Sequence, residues 1–171
     1  MLGIASNETI WVFVLAGGVL VFIGAIDDQR KLSVKIRIIS EVIVALLIIE
    51  GLNLGLQNIG ALVSSQPIIL PLPIGYMLTI LAIVGSINAF NMLDGIDGLL
   101  ASLVLLTLII FHIITETQPS LISLIVGGSL IAFLISNLSL NRFIPRTFLG
   151  DAGSRLLGFI VVCLLLAASS S

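Results

Sequence analysis

An all-α, polytopic transmembrane bundle of about six spans is what this sequence predicts, and three observations carry the prediction. Of 171 residues, 58% are hydrophobic and 9% are charged, with a mean hydropathy of +1.29; an ordinary soluble domain is about a quarter charged. Apolar runs near the roughly 20 residues that cross a hydrocarbon core recur along the chain. All seven basic residues fall in two short interruptions between those runs. A soluble helical core fits poorly, because a chain of this size has too much surface to cover with so few charges. The net charge of −2 comes with no basic stripe, so no nucleic-acid surface is expected.

The expected spans are residues 10–26, 36–56, 74–90, 99–114, 121–140 and 156–168, forming one membrane-embedded core over 1–171. No Lys or Arg precedes the first run, so it reads as an insertion signal rather than a cleaved leader. The second run carries Glu41 inside it and Glu50 near its far end. After it, the alternation Leu52, Leu54, Leu56 and the later Ile68, Ile69, Leu70 suit a short outer β-hairpin. The third and fourth runs flank a polar stretch, residues 88–98. The sixth offers about 13 residues, or roughly 20 Å of helix, and is expected to be short. Cys163 stands alone in that run and reads as a small core hydrophobe with no intramolecular disulfide.

Orientation follows from the basic residues. Arg30, Lys31, Lys35 and Arg37 separate the first two runs, and Arg142, Arg146 and Arg155 lie between the fifth and sixth. The positive-inside rule places both interruptions in the cytoplasm, and alternation brings residues 88–98 to the same side. All five aspartates, Asp27, Asp28, Asp94, Asp97 and Asp151, then gather on one face, while Glu8 and Glu116 fall on the other. Ionisable groups beside a bilayer core mark function by default.

Each acid also has a plain structural reading. Asp27 and Asp28 can be a solvated helix end paired with Arg30 and Lys31. Asp94 and Asp97, three residues apart beside glycines, can converge on one cation, or Asp97 can cap the helix starting near Leu99. Residues 150–155, Gly-Asp-Ala-Gly-Ser-Arg, read as a tight turn feeding a helix. Its free N–H groups can meet an anion and Asp151 can hold a metal, or Asp151 or Ser154 can cap the helix. So many acids at one interface repel each other unless a divalent cation sits among them, and magnesium suits oxygen ligands shared with phosphates. His112 is expected to pack, and Glu41 to pair with Arg37 one turn before it. An ion-coupled transporter using Asp94 and Asp97 is a poor fit, because such acids belong near the midplane.

Three segments together resemble a known family. They are Asp27-Asp28 followed by Leu32-Ser33-Val34-Lys35, then Asn88-Ala89-Phe90-Asn91-Met92-Leu93-Asp94-Gly95-Ile96-Asp97-Gly98, then Phe148-Leu149-Gly150-Asp151-Ala152-Gly153-Ser154. In order, spacing and intervening spans the chain is similar to the polyprenyl-phosphate N-acetylhexosamine-1-phosphate transferases, and its wording resembles the branch that uses UDP-N-acetylglucosamine. The resemblance implies transfer of N-acetylglucosamine 1-phosphate from UDP-GlcNAc to undecaprenyl phosphate with release of UMP, starting a cell-envelope glycan such as lipopolysaccharide or teichoic acid. It implies magnesium, or manganese in its place, and a multi-pass protein of the inner membrane with a cytoplasmic active site; the partners expected are the UDP-sugar, the polyprenyl phosphate, the bilayer and, as one option for an oligomeric state that the sequence leaves open, a homodimer.

Residue by residue, the resemblance makes Asn91 and Asp151 metal contacts and Asp94 and Asp97 part of the metal and diphosphate site. Asp27 or Asp28 assists the attacking lipid phosphate, and Asn88 and Lys35 contact substrate. Direct attack is expected over a covalent aspartyl intermediate, because a phosphate dianion is already a competent nucleophile. The family pattern also has further spans before Asp27, and after Ser154 it has further spans and a histidine-rich loop that helps hold the nucleotide-sugar. Neither lies in these 171 residues. The alternative expectation is therefore a truncated, non-catalytic homologue that keeps the metal and phosphate core.

Overall fold

A computed structural model describes residues 7–58, 60, 68–115, 121–139 and 145–169. They form six helices, α1 (Asn7–Arg30), α2 (Val34–Leu52), α3 (Leu72–Leu93), α4 (Leu99–Thr115), α5 (Leu121–Asn137) and α6 (Gly150–Ser169). The all-α class and the number of elements agree with the sequence, and the protein is a membrane protein. Three segments are long and apolar enough to cross a bilayer, Ile10–Arg30, Leu72–Leu93 and Gly150–Ser169; α4 and α5 are apolar but shorter. Trp11, Phe22, Ile113, Ile114 and Leu121 are exposed, as side chains facing lipid tails would be.

Helix ends depart from the hydropathy boundaries where polar residues join the helix. α1 continues through both aspartates to Arg30 and stops where Lys31 turns left-handed (φ 46°). α2 ends at Leu52 rather than residue 56, because Asn53 takes the left-handed conformation (φ 51°) that asparagine tolerates. The expected short last span is corrected by α6, which has 20 residues and starts at Gly150. Residues 150–154 are thus its first turn, not a turn before it. Their polarity hid them from hydropathy, yet Ser154 Oγ donates back to the Gly150 carbonyl at 2.9 Å, as a helical serine does.

The outer hairpin reduces to one antiparallel bridge between Asn58 and Ile69, with Leu70 N–H donating to the Gln57 carbonyl at 2.8 Å. No strand forms among the described residues, and residues 59 and 61–67 lie outside them, as do Glu116 and Arg142. The side chain of Glu8 is also outside the description.

α6 organises the packing. Phe159, Ile160, Val162, Cys163 and Leu166 join one core with Ala16 and Leu20 of α1, Val44, Ala45 and Ile48 of α2, and Ile83 and Ile87 of α3. Its Leu157 and Val161 enter a second core with Leu100, Ala101, Val104 and Leu108 of α4 and Leu130 of α5. Cys163 is a buried free thiol, as expected. Small residues let the backbones close up: a Cβ on Gly24 would lie 2.4 Å from the Ala152 Cα, and one on Gly158 would lie 2.9 Å from the Ser86 carbonyl oxygen. These crossings bring the last turn of α1, the end of α3 and the first turn of α6 to one end of the bundle.

Candidate active site

At that end, residues far apart in sequence meet. Asp27 is 4% exposed and accepts on both oxygens. Leu32 N–H donates to Oδ1 at 2.6 Å and closes the α1–α2 corner. Oδ2 takes Arg37 Nη1 at 3.1 Å and Arg155 Nη2 at 2.6 Å. The same arginine lies 3.6 Å from Asp151 Oδ2, one helical turn before it.

Asp28, next in the chain, is exposed and points across to α6, where its Oδ1 accepts the Asp151 N–H at 2.9 Å. That contact needs a glycine beside it. Gly150 has φ +68°, and a Cβ there would sit 2.9 Å from Asp28 Oδ2. Asp94 follows the last residue of α3 and lies near the Gly150 backbone at the head of α6. Burial raises its pKa above the usual 3.8, and the charges of Asp151 and Asp28 raise it further. One turn back, Asn91 Oδ1 lies 2.7 Å from the Ser154 hydroxyl, whose single proton it shares with the Gly150 carbonyl. Asp28, Asp94 and Asp151, with Asn91 beside them, therefore lie around the first turn of α6.

A family model for glycosyl transferase family 4 matches residues 10–169. The chain belongs to that family. Its curated relatives include undecaprenyl-phosphate alpha-N-acetylglucosaminyl 1-phosphate transferases from Salmonella typhi, Escherichia coli and Yersinia pestis. The first is 35% identical over 158 residues and the second 36% identical over 158 residues, each match covering 90% of this chain and 43% of the relative. The third is 34% identical over 161 residues, covering 92% and 44%. The chain thus spans under half the length of the relatives it matches.

Within this glycosyl transferase family 4 core, the remaining predicted residues lie around the gathered acids rather than among them. Asp97 is half-exposed and forms an ion pair with Arg146, which also donates from Nε to the Asn137 carbonyl at 3.1 Å. It thereby ties the α3–α4 turn to the end of α5. Asn88, exposed on α3, donates to Glu41 Oε2 at 2.5 Å and to the Val84 carbonyl at 2.9 Å. Lys35 is exposed in the first turn of α2.

Two local expectations are corrected. Glu41 pairs with Asn88 rather than Arg37, because Arg37 is drawn to Asp27. Asp27 is held by Arg37 and Arg155 rather than by its neighbours Arg30 and Lys31, since a residue buried at a helix end must take its partners from the helices packed on it. His112 meets the ring of its neighbour Phe111 edge-on at 5.4 Å. Sequence reasoning counted Arg155 only as a topology marker. An arginine four residues after Asp151, at the head of an apolar helix, was the available signal.

Among the described residues no group of three or more His, Cys, Asp or Glu side chains is already arranged as a metal site. The donor chemistry still suits a hard divalent ion. Asp28 and Asp151 lie near enough to Asp94 for their charges to raise its pKa, and crowding of that kind is what an ion with oxygen ligands relieves.

Proposed function

We propose that this protein transfers N-acetylglucosamine 1-phosphate from UDP-N-acetylglucosamine to undecaprenyl phosphate, releasing UMP, at the cytoplasmic face of the inner membrane, as the first step of a cell-envelope glycan. The observation that carries the reading is the meeting of Asp28, Asp94 and Asp151 on the first turn of α6. Family membership and the names of the relatives support it.

In this reading an oxygen of the lipid phosphate attacks the phosphorus bonded to the sugar. A new P–O bond forms, the P–O bond to the uridine phosphate breaks, and UMP leaves with the electron pair. The nucleophile arrives deprotonated, so the chain's task is to position and to neutralise charge. Asp28, Asp94 and Asp151, with Asn91, would hold magnesium, which supplies charge neutralisation to the two phosphates. Asp28 is aimed by the Asp151 N–H. Asp27 is held by two guanidinium groups and an N–H and also meets the Asp151 side chain, so its part is to fix the corner from which Asp28 projects. Lys35 and Asn88, exposed on α2 and α3, are the residues this reading assigns to substrate contact. Asp97, paired with Arg146, stands outside this set.

The test is direct. Membranes containing the 171-residue chain are incubated with UDP-GlcNAc, undecaprenyl phosphate and magnesium. UMP release that Asp151→Asn lowers by about 10²-fold or more is expected, the scale for loss of a charge-stabilising group. A well-expressed chain that releases no UMP contradicts the reading and leaves the non-catalytic homologue.

A further inference from the structure

Arg155 is held in a way that packing alone does not explain. It is 2% exposed and sits in an otherwise apolar stretch with Leu156, Leu157 and Phe159. Its Nη2 lies 2.6 Å from Asp27 Oδ2 and 3.6 Å from Asp151 Oδ2, and its charge reaches the fully buried Glu41. Nη1 of Arg155 and Oε1 of Glu41 are buried without a hydrogen-bond partner. A buried ion pair is weak evidence of stability, because a hydrophobe of similar volume often does as well or better, and an unsatisfied N–H adds a further cost. What Arg155 does that a leucine cannot is join an acid of α1 to an acid of α6. Arg37, the other cation on Asp27, approaches from α2 and is more exposed.

We propose that Arg155 is a positioning residue, a resident cation beneath the carboxylates that ties Asp27 to Asp151 and so keeps the acids assembled when no divalent ion or phosphate is bound. Asp28 adjoins Asp27 and accepts the N–H of Asp151, so its direction depends on both ends of that tie. Glu41 offsets part of the arginine's charge from the core side. The inference rests on the transferase reading only for what the assembled acids then act on.

The full chain in lipid nanodiscs provides the test, by thermal unfolding with and without magnesium chloride. Arg155→Gln is expected to lower Tm by roughly 10 °C. Adding Asp27→Asn should take away little more than the larger single loss, and Arg155→Lys should restore much of the stability. Magnesium should raise the Tm of Arg155→Gln more than that of the parent chain, because the ion then takes over the arginine's task. Should Arg155→Gln not fold, Arg155→Lys in the same cycle should give smaller losses and the same non-additivity. Additive losses overturn the tie to Asp27, and an equal, non-zero magnesium shift in both proteins overturns the positioning role. No magnesium shift in the parent chain contradicts the transferase reading instead, and Arg155 is then judged on the cycle alone.

Discussion

Where α1, α2, α3 and α6 meet, charge is buried and shared: one aspartate takes two arginines, a second reaches across to a backbone N–H, and glycines admit neighbouring backbone without a gap. α4 and α5 are built differently, with an apolar seam against α6 and a half-exposed ion pair from Arg146 to Asp97 at their end. The contrast teaches how to read acids that share a motif. Asp94 and Asp97 are three residues apart, yet Asp94 belongs to the buried corner and Asp97 to the α4–α5 side. Spacing brought both to one end of the bundle; tertiary packing decided which of them meets Asp28 and Asp151.

Substitutions on the two sides should therefore differ in size. The largest loss of stability is expected from Asp27→Asn, about 3–5 kcal/mol, because it leaves the buried Arg155 guanidinium without its counter-charge. Denaturant titration of the reconstituted chain reads this, and a loss under about 1 kcal/mol would put Asp27 on a par with a surface pair. Gly24→Val comes next, at about 1–3 kcal/mol or more, since its side chain must displace the Ala152 backbone; the same assay applies.

Asp94→Asn should go the other way in the absence of metal. The raised pKa means that the folded protein holds the neutral carboxyl better than the unfolded chain does. Asp94 thus contributes stability below the usual 3.8, and that contribution is lost as pH rises through its elevated folded value. The asparagine variant should show a flatter fall in stability with pH over that window, and an unchanged slope would show that Asp94 is not crowded by its neighbours. Asp97→Asn should change stability least, by about 1 kcal/mol or less, as for other exposed ion pairs. A large loss there would erase the distinction between the two regions.

Much of this was legible in the sequence. The apolar runs marked six helices, and the placement of basic residues correctly grouped the aspartates on one side of the bundle. The first turn of α6 was missed because hydropathy cannot recognise a helical turn made of Gly, Asp, Gly and Ser. The partners of Asp27 and Glu41 were misjudged because i,i+4 spacing speaks only for one helix. Arg37 has a closer partner across the α1–α2 corner, and Glu41 has one on α3. Asn91 was singled out by resemblance, and its contact with Ser154 depends on the α3–α6 crossing, which no local pattern specifies.

Binding of manganese to the reconstituted chain, followed by electron paramagnetic resonance, tests the central claim most directly. Asp28→Asn, Asp94→Asn and Asp151→Asn should each weaken binding by about tenfold or more, as loss of a carboxylate ligand to a hard cation does, while Asp97→Asn leaves it within about twofold. Binding that Asp97→Asn weakens as much as Asp151→Asn, or that none of the four changes, would contradict a single site built on the first turn of α6.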